Sequence, residues 1–347
     1  MKKTLLMIAA AFAFVACSND ETLFQAEPEA IGFDNAFIEN STRSVSDPSW
    51  SNTKLFGDFA VYGYVENAPL FNNVKVSGSA LNGEWTYTNT QYWIAGAKYN
   101  FAAVAPYSNG AAGVFSVAAN GSDYVGTTVL PFTNDGTNDV LYAQNAQVVG
   151  ASDNNAKVAF TFRHILSKVK FSFENGYNAS TATIKVYDVK IENAYKTATA
   201  TLGVNSTAWD DQAGTLVLEF GNASDDESTN AKEGAEVAYA YGATYESLNE
   251  RFLIPGDAPE ITYVKDGANV TENAYEVTFK VDLLVNNTRV KTYNHIAYAK
   301  FTPVAGNAYD IKTVINAENI DPEHEQEPIE FTVNPLPGWG ETKNENI

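Results

Sequence analysis

The stretch VAFTFRHILSKVKFSF, residues Val158–Phe173, carries two β-strand patterns in opposite phase. Its large apolar residues form an even-numbered set and an odd-numbered set: Val158, Phe160 and Phe162, then Val169, Phe171 and Phe173. Side chains alternate between the two faces of a strand, so one regular strand would turn one of these sets to solvent. We therefore predict two strands separated by a bulge or a short break between His164 and Ser167.

Short strand patterns recur on both sides of this stretch. The clearest is Tyr275–Val285, in which inward apolar residues alternate with outward Glu276, Thr278, Lys280 and Asp282. The other patterns are Ile31–Phe37, Phe59–Val65, Tyr99–Ala105, Val114–Ala118, Tyr124–Leu130, Val140–Ala143, Leu216–Phe220, Tyr309–Ile315 and Ile329–Val333. Turn signals such as Asn-Gly separate several of them. Many short strands with turns between them predict an all-β protein built as a sandwich.

The strand patterns do not cover the end of the chain. Pro335 and Pro337 follow the strand pattern Ile329–Val333, and proline cannot donate a ladder hydrogen bond, so we expect pairing to stop there. Gly338–Ile347 is then a polar tail. Helix is expected in one short segment at most, Tyr245–Phe252.

Length and polar stretches divide the chain. Its 347 residues are too many for one typical core and suit two domains. The polar stretch Asn145–Ala156 marks the predicted boundary. We expect a signal peptide at residues 1–16, a lipidated polar tether at 17–29, an N-terminal β-sandwich at 30–150, and a C-terminal β-sandwich with a polar tail at 151–347.

The first seventeen residues have the layout of a secretory signal peptide. Lys2 and Lys3 precede the apolar run Leu5–Val15, which contains no charge. This run is shorter than the ~20 apolar residues that a permanent membrane-spanning helix needs. We therefore expect it to be cleaved, with the cut between Ala16 and Cys17.

The residues at this cut, Phe14-Val-Ala-Cys17, resemble the lipobox of bacterial lipoproteins, in which the cysteine is acylated and becomes the new N-terminus. Acyl chains would hold the protein on a membrane. The alternative is an ordinary signal peptide that leaves Cys17 as a free thiol. Cys17 is the only cysteine, so an exported chain has no internal disulfide partner for it. Ser18–Glu21 is similar to the acidic export tag of surface lipoproteins in Bacteroides-type bacteria.

Charge and motifs exclude several functions. A net charge of −20 repels phosphate backbones, so we expect no nucleic-acid partner. The chain has three histidines and no H-E-x-x-H, C-x-x-C, G-x-S-x-G or P-loop motif. A two-carboxylate hydrolase stays open because acidic residues are plentiful. We predict no enzymatic activity, no catalytic residue, no metal and no cofactor, and we expect His164 to be a packed, hydrogen-bonded side chain.

Two further segments allow a binding interpretation. Asn134–Asp139 looks superficially like a calcium loop, but it lacks the full ligand spacing and the closing glutamate, which favours a tight turn. Trp85, Tyr87, Tyr92 and Trp93 could form a platform for stacking sugars. Aromatic residues of a sandwich more often pack inside, so we expect these to be core.

The order of motifs resembles the Bacteroidales fimbrillin family, the Mfa-like or type V pilin lipoproteins. The resemblance spans nearly the whole chain and rests on Cys17, Ile31–Phe37, Thr42-Arg43, Tyr92-Trp93, Tyr99–Pro106, Asn138–Ala143, Phe162–Val169, Phe252–Pro255 and Pro303–Tyr309. The segment FRHILSKV at Phe162–Val169 is its most specific part. The family resemblance implies two tandem transthyretin-like β-sandwiches, exported as an outer-membrane lipoprotein to the cell surface and the fimbrium.

The family resemblance also implies a route of assembly. In pilin members, an arginine-specific protease cuts the loop after the first strand, and the position that matches here is Arg43, followed by Ser44. Loss of the first strand opens a groove that a neighbouring subunit fills with its own strand. The implied partners are other fimbrial subunits, the outer membrane through the lipid at Cys17, and a ligand on a host or bacterial surface.

The C-terminal end departs from the pilin pattern. A donor strand should alternate apolar residues, but Gly338–Ile347 offers only Trp339 and Ile347. Either Ile329–Val333 is the donor, or the subunit passes no strand onward and is a tip or accessory subunit or a lipoprotein that never polymerises. We predict a structural or adhesive fimbrial subunit. The alternative is a non-polymerising surface lipoprotein that binds glycan.

Overall fold

The computed structural model describes residues 29–38, 58–79, 84–110, 112–149, 157–177, 182–220, 235–237, 244–246, 250–265, 267–286, 288–323 and 329–336. Nearly all of the regular structure in these ranges is β-strand, as predicted. The described helix, α1, is the single turn Tyr107–Gly110. Within the same ranges, no helix has the length and apolar character that crossing a membrane requires.

Twenty-one strands are described. They are β1 Phe33–Ile38, β2 Phe59–Val65, β3 Ala68–Ser79, β4 Glu84–Thr86, β5 Lys98–Ala105, β6 Val114–Asn120, β7 Asp123–Thr133, β8 Leu141–Val149, β9 Val158–His164, β10 Ser167–Asn175, β11 Ala182–Leu202, β12 Thr207–Phe220, β13 Ala235–Val237, β14 Thr244–Glu246, β15 Arg251–Leu253, β16 Glu260–Lys265, β17 Ala268–Asn273, β18 Tyr275–Val285, β19 Thr288–Ala299, β20 Ala308–Ile315 and β21 Thr332–Leu336.

Three sheets and one separate hairpin contain these strands. The N-terminal sheet has the order β1-β9-β8-β5-β2-β3-β4. The C-terminal sheet has the order β14-β10-β20-β21, with β15 also paired to β10. The third sheet, which we call the shared sheet, has the order β19-β18-β11-β7-β6, with β12 and β13 also paired to β11. Strands β16 and β17 form the hairpin.

Strand β11 connects the two halves of the protein. Its first part pairs with β18, and its last part pairs with β7, which belongs to the first half of the sequence. At 21 residues it is far longer than a typical strand of about 5 to 6 residues. The shared sheet therefore runs behind both other sheets as one hydrogen-bonded layer.

The buried apolar residues form three cores. One core lines the inner side of the N-terminal sheet and contains Phe33, Phe101 and Phe160. A second lies between the outer side of that sheet and the β6, β7 and β11 part of the shared sheet. The third fills the space between the C-terminal sheet and the β11, β18 and β19 part of the shared sheet. Every core is thus enclosed by strands whose alternate residues point inward.

Several predictions from the sequence are confirmed. Strand β9 ends at His164 and β10 begins at Ser167, so the break falls where the phase of the apolar residues changes. The two strands belong to different sheets, which explains the need for a break. Strand β18 has the predicted bounds, Tyr275–Val285, and Asn286 at its end has a positive φ of 49°.

Other predictions were wrong in detail. The segment Tyr245–Phe252, where one short helix was allowed, shows no helix in its described residues, which lie mainly in strands β14 and β15 paired with β10. Pairing does not stop at Pro335, because this residue is part of β21 and lies opposite Tyr309 of β20. Strand β21 ends the C-terminal sheet, and an edge strand tolerates a residue without a backbone N–H.

Asp282 also departs from its predicted exposure. It is only 8% exposed, because Tyr187 and Thr292 donate hydrogen bonds to its carboxylate at 3.2 and 2.5 Å. The polar stretch from Asn145 is strand as far as Val149. The domain boundary at residue 150 stays a prediction. Strand β9, which follows it, pairs with β1 and β8, which precede it.

Candidate functional site

The candidate site is strand β1 together with the groove that it occupies. Strand β1 lies at one end of the N-terminal sheet and pairs with β9 in parallel, with Phe33 opposite Val158 and Ile38 opposite Phe162. Parallel pairing is slightly less stable per residue than antiparallel pairing. The first of the described strands is therefore held on this side by one parallel neighbour.

The residues just before β1 bring the two ends of the sheet together. The amide of Ile31 donates to the carbonyl of Gln91 at 2.8 Å, and the amide of Trp93 donates to the carbonyl of Glu29 at 2.9 Å. The Tyr87 hydroxyl donates to the carbonyl of Ile31 at 2.7 Å. Because residues 91–93 follow β4, the last strand of the sheet, the segment 29–38 closes the sheet on itself.

Two side chains anchor this segment in the N-terminal core. Ile31 and Phe33 are each 1% exposed. The Phe33 ring stacks on Phe160 with a centroid distance of 5.9 Å and meets two rings edge-on, Tyr87 at 5.4 Å and Phe71 at 5.6 Å. Burying a side chain of this size stabilises a protein by about 1.5 to 3 kcal/mol. The anchors therefore fill space that would become a cavity if the segment left.

The arrangement suits exchange of one strand for another. Removal of segment 29–38 would free the edge of β9, with its backbone donors and acceptors, and would empty the sites of Ile31 and Phe33. An added strand can satisfy both the free edge and the apolar groove. The site can therefore bind an extended peptide that carries apolar anchors at alternate positions.

The predicted processing and lipid sites lie outside the described residues. Ala16 and Cys17 precede residue 29, and Arg43 and Ser44 fall between residues 38 and 58. The other three arginines are described and belong to paired strands: Arg163 to β9, Arg251 to β15 and Arg289 to β19.

The candidate donor segment Ile329–Val333 is packed into its own C-terminal sheet. Ile329 is 8% exposed, and the ring of Phe331 meets Phe171 edge-on at 5.7 Å. Thr332 and Val333 already pair with β20 as part of β21. To act as a donor, this segment would have to leave the core of its own subunit.

The proposed aromatic platform is mostly core. Trp85 and Trp93 are 7% and 8% exposed, and Tyr87 is partly buried against Phe33. Of the four aromatic residues, Tyr92 alone is half exposed, at 50%. The expectation that these residues pack inside is confirmed for both tryptophans.

The loop Asn134–Asp139 is a turn held by its own side chains. Asp135 accepts hydrogen bonds from the amides of Thr137 and Asn138 at 2.8 and 2.9 Å. Burial raises the pKa of the Asp135 carboxyl, but the hydrogen bonds from Asn138 and Thr137 outweigh it and hold that pKa below its usual value. Across the described ranges, no group of three or more His, Cys, Asp or Glu residues could hold a metal ion.

Two motifs of the sequence meet around His164. Its ring is buried and hydrogen-bonds through Nδ1 to Asp139, so the expected packed, hydrogen-bonded histidine is confirmed. Asp139 also accepts a hydrogen bond from the amide of Val140 at 2.8 Å. Sequence reasoning missed this pair because its members are 25 residues apart and belong to separate motifs. The pair joins the start of β8 to the end of β9.

Arg163 fastens the N-terminal sheet to the shared sheet. Its guanidinium donates to the carbonyls of Gly203, Val204 and Ser206 at 2.8, 2.9 and 2.7 Å, and it lies 4.9 Å from the centroid of the Tyr142 ring. These carbonyls belong to the turn between β11 and β12. The most specific motif of the sequence therefore has a structural role.

Comparison with known proteins gives weak similarity to solved structures and a match to one family. A candidate cell adhesion protein from Bacteroides ovatus is 15% identical, with a TM-score of 0.46, and the alignment covers 90% of this chain and 98% of that chain. A candidate cell adhesion protein from Bacteroides uniformis is 14% identical, with a TM-score of 0.44 and coverage of 90% and 99%. A fimbrial assembly protein from Parabacteroides distasonis is 9% identical, with a TM-score of 0.39 and coverage of 87% and 99%.

No match was found among the curated proteins. The profile of the fimbrillin-like family matches residues 42–335, which is most of the chain. On that match, this all-β chain belongs to the fimbrillin-like family.

Proposed function

We propose that this protein is a structural or adhesive fimbrial subunit that is anchored by lipid at Cys17 and matured by cleavage after Arg43. In this proposal, cleavage lets segment 29–38 leave its groove, and a strand of a neighbouring subunit replaces it. Family membership supports a structural role at the cell surface. The observation that carries the exchange step is the position of segment 29–38, which ends the sheet as β1 beside one parallel neighbour and has two buried anchors, Ile31 and Phe33.

The surroundings of the three described arginines favour the fourth, Arg43, as the cut site. Proteases need an extended, accessible backbone, and strand pairing withholds it. Arg163, Arg251 and Arg289 all lie in paired strands. Arg163 also uses its guanidinium to hold the turn at residues 203–206. Arg43 comes five residues after the end of β1, so a cut there would separate the strand from the body of the protein.

The proposed lipid anchor and tether determine where the protein would be located. The lipobox-like residues before Cys17 and the acidic Ser18–Glu21 support attachment to the outer membrane with the body facing the outside. The tether at residues 17–29 ends where segment 29–38 enters its groove. Cleavage after Arg43 would therefore release the body from the lipid as well as open the groove, unless a neighbouring subunit holds it.

The packing of β21 bears on the position of this subunit in a fimbrium. Strand β21 pairs with β20 through Leu336, and the preceding residues Ile329 and Phe331 fill the C-terminal core. A donor must give up such contacts, so the seated segment supports a subunit that receives a strand and passes none onward. In a fimbrium, that is a tip or accessory position.

The test is controlled proteolysis of the purified full chain with an arginine-specific protease. We expect one early cut between Arg43 and Ser44, identified by mass spectrometry of the N-terminal fragment. The matched control is Arg43→Lys, which keeps the positive charge but removes the cleavage site. Early cleavage of Arg43→Lys at another arginine would contradict the assignment of the site.

Size measurement after the cut then separates the two assembly roles. Growth of the cut wild-type chain into high-mass polymer, absent in Arg43→Lys, identifies a stalk subunit that donates its own strand. Cleavage without polymer identifies a subunit that only receives a strand. A synthetic peptide of residues 29–38 added to the cut chain should then bind and block any polymer.

A further inference from the structure

Half of the shared sheet has an outward face that is almost free of charge. Strands β6, β7, β11 and β12 lie side by side there, and Val114 pairs with Val129, which pairs with Thr201, which pairs with Ala208. The residues between these positions, such as Phe115, Leu130 and Ala200, are buried in the core beneath. Alternate residues of the four strands therefore point away from the core on one common face.

We call this surface the neutral face. Its thirteen residues are Val114, Ser116, Ala118, Val125, Thr127, Val129, Pro131, Thr133, Thr197, Thr199, Thr201, Ala208 and Asp210. All three of its valines are well exposed, Val114 at 63%, Val125 at 48% and Val129 at 39%. Its charged member is Asp210 at one edge, and Asp123, the next outward residue of β7, borders the face at another edge, where it forms an ion pair with Lys98.

The outward face of the rest of the shared sheet, by contrast, carries several charged residues. In the half built on β18 and β19, Lys280 lies 2.7 Å from Asp188, and Arg289 lies 3.6 Å from Asp282. The whole protein has 18% charged residues and a net charge of −20. Lys190 of β11 also pairs with Glu219 of β12 at 2.9 Å, so the scarcity of charge is confined to β6, β7 and the end of β11 and start of β12 that lie beside them.

The chemistry of the neutral face suits burial against another surface. Interface cores are depleted of charged residues. Eight of the thirteen residues are valine or threonine, whose branched side chains have few rotamers to lose when they are covered. Sheets pack face to face at a spacing of about 10 Å through such alternating side chains.

We propose that the neutral face binds the neutral face of a second copy of this chain, as a lateral contact between subunits. Net charge sets the choice of partner. Two copies with a charge of −20 each repel one another across charged surfaces, whereas the neutral face lets them approach with acidic groups only at its rim, at Asp123 and Asp210. A two-fold contact uses the same patch on both copies and requires that patch to be complementary to itself, which an uncharged sheet face of small branched side chains can be. The inference draws on the proposed fimbrial function for its setting, where many copies stand close together.

The size of the face sets the strength of the contact. Four strands spaced about 4.8 Å apart and about 20 Å long form a face on the order of 400 Å². A standard interface buries about 800 Å² on each partner. We therefore expect weak pairing between free chains and stronger pairing where many copies are held together.

The test is cysteine cross-linking of the full chain on the cells that express it. Val129→Cys places a thiol near the centre of the neutral face, and Val314→Cys is the matched control. Val129 and Val314 are 39% and 41% exposed, and both lie within strands. A short thiol-reactive cross-linker should give roughly tenfold more dimer with Val129→Cys, a difference of about 1.4 kcal/mol. Thr201→Cys repeats the measurement on the neighbouring strand.

A second substitution tests the role of neutrality. Thr127→Glu adds a carboxylate to the face two residues from Val129, and it should reduce the Val129→Cys dimer to the level of Val314→Cys. Equal labelling of all variants with a charged maleimide checks that the surface is intact. The inference is overturned if Val129→Cys and Thr201→Cys give no more dimer than Val314→Cys, or if Thr127→Glu has no effect.

The same experiment in an Arg43→Lys chain separates this inference from strand exchange. Lysine at position 43 blocks the proposed cut, so the groove of β1 stays filled. Dimer that persists in this background arises from the neutral face and supports the contact even if the proposed maturation is wrong. Dimer that disappears in this background depends on cleavage, and would refute a contact between intact chains.

Discussion

Replacement of Phe33 by alanine tests whether β1 is held chiefly by its aromatic anchor. The Phe33 ring is 1% exposed and contacts the rings of Phe71, Tyr87, Phe101 and Phe160 at centroid distances of 5.4 to 6.4 Å. Truncation of a buried phenylalanine to alanine costs about 3 to 5 kcal/mol, because it loses transfer free energy and leaves a cavity. We expect the free energy of unfolding of the N-terminal sheet to fall by this amount.

Urea unfolding followed by tryptophan fluorescence measures the effect. Trp85 and Trp93 lie in the same core as Phe33, so they report on this sheet. With a slope of about 1 to 3 kcal/mol per molar urea, the midpoint should fall by at least about 1 M. Tyr92→Ala is the control, because Tyr92 neighbours this segment but is half exposed, and it should change stability by less than about 0.5 kcal/mol.

The same substitution should weaken retention of the strand after cleavage. A loss of 3 kcal/mol corresponds to at least about a hundredfold weaker binding of the N-terminal fragment to the cut chain. Gel filtration of the cut chain gives the fraction that stays bound. A fall in unfolding free energy of less than about 1 kcal/mol, or a Phe33→Ala fragment retained as well as the wild-type fragment, would refute the role of Phe33 as the anchor.

Three further predictions concern residues away from β1. Burial lowers the pKa of His295 to about 4, below the value of about 6.5 in the unfolded chain. As the pH falls from 7 to 5, the unfolded chain therefore binds a proton that the folded protein does not, and the free energy of unfolding should fall by about 2 kcal/mol. His295→Phe should remove this part of the pH dependence in urea titrations. Arg163→Lys should destabilise the protein by about 1 to 3 kcal/mol in thermal unfolding, since lysine cannot reach three carbonyls at once, and an unchanged midpoint would contradict the role as a fastener. Gly126→Ala would place a methyl group 2.5 Å from the Phe115 ring and 2.7 Å from Gln144 Nε2, so it should cost about 1 to 3 kcal/mol, whereas Gly121→Ala, with open space around it, loses only what its positive φ imposes.

Local sequence was sufficient to predict strand bounds where the alternation of apolar residues shows which face of the strand is buried. The shift from even to odd apolar positions around Ile165 located the break between β9 and β10, and Tyr275–Val285 matched β18 residue for residue. The wrong predictions came from long-range contacts. Pro335 continues a strand because β21 happens to lie at an edge, and Asp282 is buried because hydroxyls from other strands reach it.

The candidate site divides in the same way. The sequence indicated a first strand near Ile31–Phe37, but the neighbour of that strand, β9, lies more than a hundred residues further along the chain. The pair of His164 and Asp139 and the clamp of Arg163 were equally hidden, because their partners come from other segments. Each such contact depends on how the sheets pack, which no local pattern records.

The sequence by itself determined that this protein is built from β-strands, where most of those strands lie and which of their faces are apolar, because a period of two residues is a local property of the chain. The tertiary structure alone decided that segment 29–38 closes the N-terminal sheet, that β11 joins both halves, and that residues from four strands assemble a neutral face. The physical reason is that strand pairing and register are chosen by the free energy of the whole packed core, to which residues distant in sequence contribute together.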